Sequence, residues 1–209
     1  MRILIADDHA VVRRGLKQIL ADEFPKAVFG EAANGSEVLE LIGKGKWTLL
    51  LMDVTMPGRN GPEILKEVKR IRPRLPVLVL SVHSEDQFAV RMLKAGAAGY
   101  LTKETAPEEL ANAVRKVFAG SRYVSASLAE KLAAGLTAEV ENSPHQALSD
   151  REFHVMRMIG SGMTVKEIAA ELSLSVKTVS TYRVRLLQKM GMKNSAELTR
   201  YAVENGLAE

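Results

Sequence analysis

The first 120 residues alternate short apolar runs with longer amphipathic stretches. The runs are Ile3–Ala6, Val28–Ala32, Leu49–Met52, Val77–Leu80 and Gly99–Leu101, each of strand length. Between them apolar positions recur at helical spacing, as in Val11, Leu16, Ile19 and Leu20, or Ile64, Leu65, Val68 and Ile71. Five strands alternating with five helices predict a parallel, doubly wound sheet. Such sheets hold their chemistry beyond the carboxyl ends of the strands, where strand order reverses. The residues just after each run are therefore the place to look.

The strand pattern stops near residue 120. Ser127–Ala134 predicts a short connecting helix, and Thr137–Ala147 is polar, contains a proline and lacks periodicity, as a linker does. From Ser149 onward the pattern is helical, with turns expected at Gly160–Gly162, Ser173–Ser175 and Gly191–Lys193. The expected organisation is an α/β domain over 1–120, a linker with a short helix over 121–147, and an all-α domain of four helices over 148–209. Three S/T-x-x-E capping boxes mark helix starts: Thr105–Glu108, Ser149–Glu152 and Thr164–Glu167. The last opens a helix through Leu172, followed by a tight turn and a helix capped by Ser175, which is the helix-turn-helix layout.

At 100° per residue, Val179, Leu186 and Met190 share one sector of that second helix and face the core. Lys177, Thr181, Val184, Arg185 and Gln188 lie opposite, with Ser180 on the flank. Arg183 falls only about 40° from the core centre and reads as a flanking or ion-paired residue. Between Ser175 and Met190 there are four basic residues and no acidic one. A helix of this kind suits the major groove, with cationic ends on phosphates and a small polar face on base edges. A solvated basic face on a helical bundle is the common alternative. Ile168, Ala169 and Leu172 on the preceding helix, followed by the turn, favour the groove. The segment Ser195–Gly206, with Leu198, Tyr201, Ala202 and Leu207, either closes the bundle or pairs two copies.

The strand ends carry a second pattern. The first ends in Asp7-Asp8, the third in Asp53, the fourth in Ser81 and the fifth in Lys103. With the first and third strands as neighbours, three carboxylates converge, at a cost that a cation must offset. Hard oxygen ligands suit Mg²⁺. Such a pocket accepts an anionic group arriving with Mg²⁺, and a phosphoryl group transferred to a carboxylate fits. Singly, Asp7-Asp8 is an ordinary turn and cap, Asp53 a loop aspartate and Lys103 a surface charge. Four complementary groups at four strand ends, in order, carry the inference.

Composition adds limits. The 46% hydrophobic and 26% charged content is that of a globular protein, and a net charge of +4 mildly favours a polyanionic partner. The absence of cysteine excludes disulfides, thiolate metal sites and a cysteine nucleophile. No apolar run approaches the roughly 20 residues that span a bilayer. Met1–Ala6 is too short for a signal-peptide core, so a cytoplasmic location is expected.

The strings D-D-H, L-L-L-M-D-V-T-M-P-G-R-N-G, V-L-V-L-S-V-H and A-G-A-A-G-Y-L-T-K resemble a bacterial response-regulator receiver, whose fold is flavodoxin-like. The segments L-S-D-R-E and K-E-I-A-A-E-L-S-L-S-V-K-T-V-S-T-Y-R-V-R-L-L-Q-K-M resemble the LuxR-type helix-turn-helix of the NarL/FixJ family. The resemblance implies Asp53 as phosphoacceptor and Mg²⁺ held by Asp8, Asp53 and the Thr55 carbonyl, with Asp7 assisting through water. It also implies Ser81 as the switch hydroxyl, Tyr100 as the switch aromatic and Lys103 pairing with the phosphoryl group. In the second domain it implies phosphate contacts from Lys166, Lys177, Arg185 and Lys189. Thr178, Ser180, Thr181, Val184 and Gln188 complete the DNA-contacting set. Members often carry Lys where this chain has Ser180 and His where it has Tyr182, so no family consensus site is carried over. The implied partners are promoter DNA, a histidine kinase and a second copy of the chain when phosphorylated or DNA-bound, with RNA polymerase a further candidate. The implied role is transcription regulation, without turnover of an external substrate.

Three other readings compete. A receiver working without phosphate is disfavoured by intact Asp8, Asp53, Ser81 and Lys103. An aspartyl-nucleophile phosphatase or phosphotransferase typically places a second aspartate two residues after the nucleophile, where this chain has Thr55. A pure protein-docking module predicts no DNA affinity.

Overall fold

The structure is a computed structural model that describes residues 1–56, 61–81, 87–130, 144–172 and 174–208. The chain divides into two compact units, Met1–Glu139 and Val140–Glu209.

The first unit alternates strand and helix throughout: β1 (Arg2–Ala6), α1 (Ala10–Glu23), β2 (Val28–Ala32), α2 (Gly35–Lys44), β3 (Leu49–Asp53), α3 (Gly61–Ile71), β4 (Val77–Ser81), α4 (Gln87–Lys94), β5 (Gly99–Thr102) and α5 (Ala106–Phe118). All strands are parallel in the order β2-β1-β3-β4-β5. Every residue of β3 and β4 is buried, as central strands covered by helices on both faces must be. That coverage makes their sequences continuously apolar. Strand β2 lies at an edge, and its Val28 is exposed.

The helical patterns hold with one correction. Leu16 and Leu20 of α1 are buried, but Val11 is 79% exposed. Five residues separate it from Leu16, which turns it about 140° away on a helix. Ile64, Leu65 and Val68 of α3 are buried.

Residues 126–130 are helical and form α6, which starts at the expected connecting helix; 131–134 lie outside the described residues. Of the expected linker, 137–143 also lie outside them. Its last four residues are not irregular: Pro144–Ala147 form a 3₁₀ turn. There His145 is buried, its Nδ1 2.6 Å from the Tyr201 hydroxyl and its ring beside Phe153. The absence of periodicity hid a single turn too short to show one.

The second unit contains α7 (Asp150–Gly160), α8 (Val165–Glu171), α9 (Val176–Met190) and α10 (Ser195–Glu204). Ser149 and Thr164 each accept from the N3 backbone amide, while Glu152 and Glu167 accept from the cap amide, so both boxes form. Thr105 makes no such bond. It lies in the helical backbone region, and its hydroxyl pairs with Thr102 instead. Unpredicted caps occur at Asn34 and Asn194, which accept from Glu37 and Glu197. Helix α10 closes the bundle, with Leu198 and Ala202 buried. A Cβ on Gly160 would lie 2.6 Å from the Ala202 Cβ, so α7 and α10 meet closely only because position 160 is glycine.

Candidate functional site

Sheet order brings β1 and β3 side by side, and their carboxyl ends deliver Asp7 and Asp53 to one place. Both side chains are fully buried, as is Ser81 at the end of β4. Lys103 follows β5 directly. Its amide donates to the Ser81 carbonyl at 2.7 Å, continuing the ladder by one residue. Its ammonium is 2.8 Å from Asp53 Oδ2 and 2.7 Å from Asp7 Oδ2. Burial opposes the charge on Lys103. Hydrogen bonds and charge from Asp53 and Asp7 outweigh it and hold the amine above the ordinary lysine pKa.

The Asp53 carboxylate is further held by Thr55. Its amide reaches Oδ1 at 3.1 Å, and its hydroxyl lies 2.9 and 3.0 Å from the two oxygens. The side chain of Thr55 was not anticipated; only its carbonyl was, and a hydroxyl two residues past a strand-end aspartate was the available signal. Tyr100 is wholly buried, so the aromatic occupies an inward position.

Asp7, Asp8 and His9 form a cluster whose ligand atoms lie within 4.8 Å of one another. His9 was not anticipated as a member, and Asp53 is outside this group. Neither aspartate caps α1. The cap residue is His9, whose amide donates to Asp7 Oδ1 at 2.8 Å. Asp8 Oδ1 is a buried oxygen without a hydrogen bond, although His9 Nδ1 lies 2.9 Å away. The three carboxylates and one ammonium leave two negative charges in the pocket. A buried unsatisfied oxygen, a hard donor set and that charge fit a divalent cation such as Mg²⁺.

In the second unit, Val179, Leu186 and Met190 of α9 are buried. Lys177, Thr181, Val184, Arg185 and Gln188 are exposed, as is Lys166 on α8, while Thr178 and Ser180 are half-buried. Ser175 and Thr178 bond each other at the helix start. The Thr181 hydroxyl donates to the Lys177 carbonyl at 2.9 Å. Arg183 does not join the exposed face: it donates to Ser195 Oγ at 3.1 Å, tying α9 to α10. Lys189 is not free either. Its ammonium is 2.6 Å from Glu152 Oε2, in the capping box of α7. Burial raises the Glu152 pKa, but Lys189 and the Ser149 amide and hydroxyl more than reverse this and hold it below the usual range. Nearby on α7, burial, with Arg151 and Arg157 adding to it, pushes His154 down to about 4.

The family described as response regulator receiver domain matches residues 3–115, and the family described as bacterial regulatory proteins, luxR family, matches residues 146–202. This chain is a response regulator of the luxR family. Response regulator GacA of Pseudomonas aeruginosa is 40% identical over 210 residues, covering 100% of this chain and 98% of that protein. Response regulator UvrY of Escherichia coli is 37% identical over 208 residues, covering 99% and 95%. Among solved structures, RcsB from Salmonella enterica serovar Typhimurium, bound to promoter rprA with the phosphomimetic BeF3⁻, has a TM-score of 0.69 and 29% identity. That match covers 96% of this response regulator and 98% of RcsB. Among the described residues of the response regulator, no helix is long and apolar enough to cross a membrane.

Proposed function

We propose that this response regulator is a promoter-binding transcription regulator of the cytoplasm, switched by phosphorylation of Asp53. The observation that carries the reading is the fully buried Asp53, bridged with Asp7 by the Lys103 ammonium at the carboxyl end of the sheet.

In the transfer step, an Asp53 carboxylate oxygen attacks phosphorus on a phosphohistidine of the kinase. A P–O bond forms, the P–N bond breaks, and the imidazole nitrogen takes up a proton. Lys103 and Ser81 hold equatorial oxygens of the transferred group. Mg²⁺ would be held by Asp8 and Asp53 with the Thr55 carbonyl, with Asp7 and His9 beside them. When bound it supplies charge neutralisation of the phosphoryl oxygens. Water later hydrolyses the acyl phosphate, returning the Asp53 carboxylate and releasing inorganic phosphate, so the protein turns over only its own phosphoryl group. Movement of Ser81 toward the phosphoryl group would let Tyr100, already inward, settle deeper into the space behind it and so shift the population of two states at the face formed by α4, β5 and α5.

The DNA surface of α9 presents Lys177 and Arg185 to phosphates, and Ser180, Thr181 and Val184 to base edges. Two copies on two half-sites fit the symmetry of such sites, and RcsB, solved as two dimers bound to two parallel DNAs, supports that reading. RNA polymerase is the partner a promoter-bound regulator would address.

Intact-mass measurement after incubation with Mg²⁺ and a small phosphodonor tests the first half. The wild type gains one phosphoryl mass and Asp53→Asn gains none; a gain by the variant would remove Asp53 from the role.

A further inference from the structure

Thr48, Pro76 and Ala98 each precede a strand of the sheet, whereas Asp53, Ser81 and Lys103 end or follow one. Around the first three lies a cavity of about 510 Å³, at the amino ends of β3, β4 and β5. A strand of five residues, roughly 17 Å, separates it from the acidic pocket.

Three cations line this cavity and no acidic residue does. They are Lys69 from the last turn of α3, Arg74 from the connection to β4, and Arg122 from the segment after α5. The Lys69 stem lies against Gly96, whose added Cβ would be 3.5 Å from Lys69 Cγ, and its ammonium donates to the Leu75 carbonyl at 2.7 Å. That carbonyl is a neutral partner. Burial first, and the Arg122 charge second, push the Lys69 pKa below the ordinary lysine value. Elsewhere in the unit Arg13, Lys44, Arg70, Lys103 and Arg115 each pair with a carboxylate. A second recess, of about 540 Å³, shares Thr48, Arg74 and Pro76 with the first and continues over Trp47, Arg72, Pro73 and Leu75, with the Arg72 guanidinium donating to the Gly45 carbonyl at 2.9 Å.

A solvated basic face costs little, because water screens each charge. Arg74 and Arg122 are exposed, but Lys69 is half-buried and feels the Arg122 charge, and a bound anion would relieve that repulsion. Three cations around one concavity suit a group of about two negative charges, such as a phosphate monoester. The adjoining recess of Trp47, Leu75 and two prolines suits an apolar or ring-shaped body attached to it, placed at the ring edge because the Arg2 guanidinium already lies 5.2 Å from the Trp47 ring centroid. Both recesses are shallow, and their size, about 510 and 540 Å³, matches a small molecule.

We propose that this double recess binds a small organic phosphate, its anionic group on Lys69, Arg74 and Arg122 and its apolar body over Trp47 and Pro76. The site is separate from the phosphorylation pocket and does not depend on it.

The test is a ¹H–¹⁵N titration of the full chain with adenosine monophosphate, adenosine and inorganic phosphate, at constant ionic strength and without Mg²⁺. Adenosine monophosphate should saturably shift the amides of Gly96, Ala97, Gly120 and Ser121. Adenosine should not saturate, and inorganic phosphate should bind more weakly. Lys69→Gln and Arg122→Gln should each weaken binding about tenfold, the scale of one charge-assisted hydrogen bond. The proposal is overturned by no saturable shift with adenosine monophosphate, by unchanged affinity in both Lys69→Gln and Arg122→Gln, or by shifts confined to Asp7, Asp53 and Lys103. Equal affinity for inorganic phosphate would equally overturn the organic ligand.

Discussion

Lys103 holds two buried carboxylates at once, and its removal would leave Asp7 and Asp53 facing each other without a cation. Lys103→Met should therefore destabilise the first unit by roughly 3 kcal/mol at neutral pH, with part regained on adding Mg²⁺. Denaturant unfolding with and without the metal checks this. The raised Lys103 pKa fixes the sign of the pH effect. The stabilisation is complete below the unfolded lysine value and is lost as pH rises through the higher folded one. Lys189 makes a second prediction, because Glu152 already holds its ammonium. Lys177→Ala and Arg185→Ala should each lower the salt slope of DNA binding by about one, whereas Lys189→Ala should lower it less. Titrations at several salt concentrations would show this, and equal slopes for all three variants would contradict it. The residues at the four strand ends were legible because each lies at or just past the end of an apolar run. The Glu152–Lys189 pair was not, since 37 residues separate the partners and only packing joins them.

Helix starts show what a sequence pattern does and does not carry. Three S/T-x-x-E boxes were readable, and two form. At Thr105 the chain leaves β5 through a turn already in helical conformation, so the hydroxyl meets Thr102 rather than the N3 amide. The local letters match while the entry angle does not. Ser149→Ala and Thr164→Ala should each cost about 1 kcal/mol, and Thr105→Ala under about 0.5; thermal unfolding of the three variants separates them. Helix α7 also carries a pH signature. His154 titrates at about 4 when folded and near 6.5 when unfolded. The unfolded chain therefore takes up the proton first, and stability present above pH 6.5 is lost as pH falls toward 4. His154→Gln should flatten that part of the curve. The wheel placed the core and outer faces of α9 correctly, because one buried stripe on a short helix leaves little freedom.

For the whole molecule, the alternation of strand and helix followed by helix alone was enough to read both architectures. The 3₁₀ turn at Pro144–Ala147 is not legible locally, because it is ordered by a buried histidine reaching Tyr201, a contact across 56 residues. The cationic recess at the amino ends of β3, β4 and β5 has no local signal for the same reason: Lys69, Arg74 and Arg122 are brought together only by the crossover topology. The acidic pocket and the basic helix lie in different units of one chain, so the central claim is that phosphorylation of the first alters DNA binding by the second. Capture of genomic DNA fragments by wild type and Asp53→Asn, each with and without Mg²⁺ and a small phosphodonor, tests it most directly. The account predicts that the phosphodonor concentrates wild-type recovery on a few promoters and leaves the variant unchanged. Equal recovery by wild type in both conditions would contradict it, leaving a DNA-binding protein that Asp53 does not control.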